Sequence, residues 1–114
     1  MRFIQGLALA ALLGLFFLAA AAADKPLDGK ALFRNNCKVC HDQGSAHGVY
    51  TPMTLTQEQW RNFFKNKLVP GHKNAMHPKE NKRLFDLLSP DQLKSIQRFA
   101  IDHAADSEQP ATCG

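Results

Sequence analysis

The sequence predicts an all-α domain. Three observations carry that expectation. Apolar residues recur at helical spacing in four segments of the chain. Three of those segments begin at a residue suited to cap a helix: Asp28, Thr56 and Ser89. Between Asp24 and Gly114 no run alternates apolar and polar side chains as a half-buried strand would.

The chain opens with an address. Met1-Arg2 gives one positive charge, Leu7 to Leu18 is an apolar run, and Ala21-Ala22-Ala23 places small residues before Asp24. That is the three-part layout of a secretory signal peptide, with cleavage expected between Ala23 and Asp24. The alternative is an uncleaved anchor, since about 20 apolar residues can span a bilayer; membrane association is expected only in that case. Residues 1–23 are thus assigned as signal peptide and 24–114 as the functional domain, placed outside the cytoplasmic membrane in a periplasm.

With the leader removed, 91 of the 114 residues remain, enough for one domain. A core of that size is marginal and often needs covalent or cofactor help. The length and pattern exclude a multidomain enzyme, a repeat array and a coiled coil. Three cysteines are too few for a disulfide scaffold. The 14 Lys and Arg against 10 Asp and Glu give +4, or +3 without Arg2. The excess is local: Arg61, Lys65, Lys67, Lys73, Lys79, Lys82 and Arg83 face one acid, Glu80, in the same segment. Outside the cytoplasm such a segment is either a solvated face or a docking face for an acidic protein; nucleic acid is a poor candidate.

The first helix is expected over Leu27 to Cys37, with apolar residues at 27, 31, 32 and 33, Asp28 as cap, and Asn35-Asn36 slowing it before Cys37. Gly44, Gly48 and Pro52 mark a loop from Cys37 to Thr54. Thr56-Gln57-Glu58-Gln59 is a capping box. Trp60, Phe63, Phe64 and Leu68 then form an apolar stripe, and Pro70-Gly71 is expected to stop the helix. A second loop covers His72 to Lys79, and a short helix is expected from Glu80 to Leu88. Ser89-Pro90-Asp91-Gln92 opens the last helix, with Leu93, Ile96, Phe99, Ala100 and His103 on its apolar side. Ala105 to Gly114 reads as a polar tail.

The chemistry lies in Cys37-Lys38-Val39-Cys40-His41, a C-x-x-C-H motif, the attachment signature of c-type haem. Two cysteines three apart can form thioethers to two vinyl groups on one porphyrin edge. The histidine that follows can ligate the iron from below. A redox dithiol is the first rival, but that motif belongs to a βαβ pattern missing from this sequence. A zinc site is the second, but no further Cys/His pair stands at suitable spacing.

At this point the chain resembles a family. Gly29 to Asn36, followed by Cys37, Cys40 and His41, is similar to the N-terminal helix and haem site of small bacterial class I cytochromes c. Leu88-Ser89-Pro90-Asp91-Gln92-Leu93, with Ile96 and Phe99, resembles their C-terminal helix. The resemblance implies an all-α, class I cytochrome c-like fold of about four helices around one covalently attached haem c. It also implies that terminal helices cross over a haem edge and that a proline carbonyl, here that of Pro52, holds the ring of His41.

A carrier of electrons usually closes both axial positions of its iron. Met53, Met76, His47, His72 and His77 are the loop residues able to do so. Met53 and His47 lie near His41 in sequence, which places them on its side. Met76, in Asn74-Ala75-Met76-His77-Pro78, occupies the place where the class I family has its distal methionine, so Met76 is the expected second ligand. His72 or His77 would instead give a bis-histidine iron of lower potential. Cys113 is the odd cysteine, able to pair with another chain or to stay free.

The expected function is therefore one-electron transfer between redox proteins, with no catalytic acid, base or nucleophile required. A haem enzyme or gas-binding sensor with an open or bis-histidine iron, and a haem subunit of a larger redox complex, are the alternatives.

Overall fold

The structure is a computed structural model that describes residues 27–112. The leader with its expected cleavage point, and Cys113, lie outside the described residues. Within them the protein is all-α, with no strand and one isolated antiparallel bridge, between Met76 and Arg83.

Helix α1 is Gly29–Phe33, and it continues as a widened π turn over Arg34–Lys38. Asp28 caps it as expected: its carboxylate accepts from the Ala31 amide at 3.1 Å. Asn35-Asn36 does not slow the helix so much as widen it. The Asn36 side-chain amide donates to the Leu32 carbonyl at 3.0 Å. The amide of Val39 and that of Cys40 (at 3.2 Å) both donate to Cys37 rather than to Asn35, so the Asn35 carbonyl leaves the helical ladder.

Pro52–Thr54 forms a single 3-10 turn within the segment expected as loop. Helix α2, Gln57–Asn62, starts at the expected capping box. The Gln59 amide donates to the Thr56 hydroxyl at 3.2 Å, and the Thr56 amide donates to the Gln59 side chain at 2.9 Å.

The expected stop at Pro70-Gly71 is wrong. α2 widens into a π turn over Phe63–Lys67 and resumes as α3, Leu68–His72, which contains both residues. The Leu68 amide reaches back five residues to the Phe63 carbonyl. That reset makes Pro70 the third residue of a new helix. First-turn amides have no partner one α turn back, so a missing N–H is tolerated there.

The helix expected from Glu80 begins only at Leu84 (α4, Leu84–Leu87). Residues 75–84 form a small hairpin instead. The Leu84 amide donates to Ala75 at 2.9 Å and the His77 amide to Lys82 at 2.8 Å. Asn81 turns the chain at φ +52°, a conformation Asn accepts better than most side chains. Helix α5, Pro90–Asp102, has the predicted start: the Gln92 amide donates to the Ser89 hydroxyl at 3.2 Å, with Pro90 at the first helical position.

α1 and α5 pack together, and α2 also lies on α5. The core is Phe33, Trp60, Leu84, Leu88, Ile96, Ala100 and Ala104. Gly29 marks the closest approach: a Cβ there would press on the Ser95 carbonyl and come within 2.9 Å of the Phe99 Cβ. The polar tail is docked rather than loose. The Ala105 amide donates to Leu55 at 3.2 Å, the Gln57 amide to the Asp106 carboxylate at 2.8 Å, and the Ala111 amide to His103 at 3.1 Å.

Candidate functional site

The C-x-x-C-H motif begins in the π turn at the end of α1 and runs into the loop that follows. Cys37 and Cys40 are free thiols, both partly exposed, and Cys37 packs against the core. Loss of hydration, helped by the neighbouring Cys40, pushes the Cys37 thiol up to about 12 from 9.0. It is therefore protonated at neutral pH and is not a nucleophilic thiolate. The His41 amide donates to the Cys37 carbonyl at 3.0 Å, which closes the motif into a tight turn.

The His41 ring is oriented by backbone. Its Nδ1 lies 3.0 Å from the His47 carbonyl and 3.2 Å from that of Gly48. Carbonyls only accept, so Nδ1 carries the proton and Nε2 keeps its lone pair. Gly48 stands at φ +82°, which folds the loop back so that these carbonyls can reach the ring. The Ser45 hydroxyl donates to the Cys40 carbonyl and accepts from the His47 amide, bracing the same turn.

Pro52 does not act on His41 as expected. Its carbonyl accepts from the Trp60 indole N–H at 2.8 Å, and His47 and Gly48 take the role at the imidazole. The reason is chain direction. The glycine turn brings carbonyls to His41 within seven residues, while Pro52, buried in its 3-10 turn, sits over Trp60.

The other candidates separate cleanly. His77 is 6% exposed, and both its nitrogens are committed. Nδ1 accepts from the amides of Lys79 at 3.2 Å and Glu80 at 3.1 Å, while Nε2–H donates to the freed Asn35 carbonyl at 2.8 Å. His77 thus ties the hairpin to the π turn of α1 and has no lone pair for a metal. Met76 precedes it, in the bridge to Arg83, and is 49% exposed. Met53 and His47 are exposed in the loop after His41.

His72, at the end of α3, is half-buried. Its Nδ1 donates to the Leu68 carbonyl at 2.7 Å, so its Nε2 also keeps a lone pair. Its ring centroid lies 6.1 Å from that of His41 and 6.3 Å from that of Phe63. Tyr50 lies against His41 on another side, at 4.9 Å. Phe99, Phe33, Trp60 and Phe63 form an edge-to-face series that joins the core to this cluster. Helical spacing marks these aromatics as packing residues but does not set their order in space.

The exposed large apolar side chains, Leu27 apart, fall on two segments: Val49, Tyr50 and Met53 after His41, and Val69 and Met76 around His72. Both segments carry imidazoles, so an apolar cofactor bound at these imidazoles would have side chains to cover. A cleft of about 720 Å³ lies elsewhere: it flanks the motif between Asn36, Val39, His77 and Leu88, and neither thiol nor His41 lines it. It is polar and open to solvent.

The donor set fits a thioether-bound, iron-centred group. Two thiols stand three residues apart, and next to them is an imidazole with a fixed tautomer and an available nitrogen. Among the described residues no three His, Cys, Asp or Glu side chains converge as a metal-ion site, whereas structural zinc needs four ligands. No protein-family model matches the chain, and no curated protein or solved structure matches it either.

Proposed function

We propose that this chain is an exported, single-haem electron carrier of the class I cytochrome c kind. The observation that carries the reading is Cys37-Lys38-Val39-Cys40-His41 ending a widened helix, with the His41 Nδ1–H held by two carbonyls and Nε2 left available. A haem bound there supplies a one-electron iron couple. Cys37 and Cys40 hold it as thioethers, and His41 ligates the iron. The carbonyls of His47 and Gly48 fix the ring and strengthen it as a donor. The expectation of Met76 as second ligand has only its place in the chain behind it, and the residue itself is exposed in the bridge to Arg83.

The rest of the chain serves that couple. The packed helices keep the thiols and imidazole in register, and apolar surroundings tune the potential. Electron transfer asks for no acid, base or nucleophile, and a protonated Cys37 is unsuited to dithiol exchange. The signal-peptide layout of residues 1–23 supports export to a periplasm. Arg61, Lys65, Lys67, Lys73, Lys79, Lys82 and Arg83 are all exposed, and their charge suits an acidic redox partner.

The test is production of the full precursor in a host that attaches haem in the periplasm. Coloured protein whose haem survives denaturation is expected, with the colour lost when Cys37 and Cys40 are both replaced by Ser. Colourless protein with both thiols open to alkylation would overturn the proposal. Exchange of electrons with the partner should slow as salt rises.

A further inference from the structure

Resting on that reading, we infer that the second axial ligand is His72, so that the iron is held between two imidazoles rather than by Met76. Three independent features support the pairing. The first is the state of the nitrogens. A metal-binding histidine almost always donates its other ring N–H to a carbonyl or carboxylate, which fixes the tautomer and raises basicity. His41 does so to His47 and Gly48, and His72 does so to Leu68 at 2.7 Å. Both therefore present Nε2 as a lone-pair donor.

The second feature is spacing. Imidazole nitrogens bind first-row ions such as zinc at about 2.0–2.1 Å. Two rings sharing one ion from opposite sides thus have centroids roughly 6 Å apart. The His41 and His72 rings are 6.1 Å apart, with planes at 65°.

The third is the elements that deliver them. π turns are rare, occur mostly as single widened turns within α-helices, and are frequent at functional sites. The described residues contain two: one carries Cys37, and the other ends directly before α3 and His72.

The rivals lack this combination. His77 has both nitrogens bonded. His103 has its Nδ1 on the Gln109 carbonyl at 2.7 Å and packs on Phe99, in the docked tail. His47 lies 6.2 Å from His41 but is exposed on the same loop, and no hydrogen bond fixes its ring. Its own carbonyl receives the His41 Nδ1–H, which puts that backbone behind the ring, away from Nε2.

The test uses full-length protein carrying covalent haem, read by spectrum and by ligand binding. The oxidised parent should be low-spin without the weak red charge-transfer band of methionine–iron ligation, and its reduced form should not bind carbon monoxide. His72→Ala should turn high-spin and bind carbon monoxide, with added imidazole restoring the low-spin spectrum. Met76→Ala should match the parent. If His72→Ala does not accumulate, His72→Met serves: it should gain the methionine band and a raised potential. A methionine band in the parent would overturn the inference, as would a high-spin Met76→Ala or a His72→Ala that stays low-spin. In those cases covalent haem would still uphold the carrier reading, whereas colourless protein would remove both.

Discussion

The two ends of the first helix are held by different physics. At its start, Gly29 lets α1 lie directly against α5, and Phe33 is buried between Trp60 and Phe99. At its other end, the π turn and the loop after it are fixed by hydrogen bonds: Asn35 to His77, His41 to His47 and Gly48, Ser45 to Cys40. Apolar burial is strong but hardly directional. Hydrogen bonds add less net stability but dictate orientation. The helix crossing therefore supplies the stability of the domain, and the polar end supplies the aim of an imidazole.

The largest test of that division is Trp60→Ala. It removes the 3%-exposed centre of the aromatic series and leaves the buried Pro52 carbonyl without its donor. A loss of about 3–5 kcal/mol is expected by denaturant titration. A loss below 1 kcal/mol would mean that the crossing is not where the stability resides.

Gly29→Ala tests the same region through backbone. The added methyl meets the Ser95 carbonyl, which cannot rotate aside, so about 1–3 kcal/mol should be lost. An unchanged midpoint would show that α1 and α5 can separate freely.

His77→Ala probes the polar end. It unpairs the Lys79 and Glu80 amides and the Asn35 carbonyl, with an expected cost of about 1–3 kcal/mol. The signature is local: amide exchange should rise for residues 77–84 and stay slow across α5. Uniform acceleration would merge the two regions into one unit.

The mildest effect comes from Cys37 with its thiol free. Its thiol holds a proton up to about pH 12 in the fold, against 9.0 for the free group. Below pH 9 both states are protonated and nothing is lost. As pH rises from 9 toward 12 the unfolded chain releases a proton that the folded chain keeps, so stability falls. Cys37→Ser should have a flatter profile over that window, and parallel profiles would contradict the assignment.

What could be read beforehand follows the same division. Asp28, Thr56 and Ser89 are local signals, and each caps its helix as expected. The stripes through Trp60 and Ile96 are buried because period and burial are one property. Pro70-Gly71 misled, because a π turn upstream changes what a proline costs, and that widening has no short sequence mark. The hairpin over 75–84 depends on His77 finding Asn35, a contact 42 residues apart in the chain. The motif Cys37 to His41 was plain, but the carbonyls that orient His41 could not be assigned. The one hint was Gly48, whose left-handed turn brings them round.

The widened turn at Phe63–Lys67 is equivalent to one residue inserted into an otherwise regular helix. Deleting a single residue there would tighten the coil and swing everything downstream by about 100°. Pro70 would then sit in an uninterrupted interior, and His72 would point away from His41. The bearing of that imidazole and the harmlessness of that proline are thus one fact of helical phase, and a shortened descendant of this chain would be expected to lose both together.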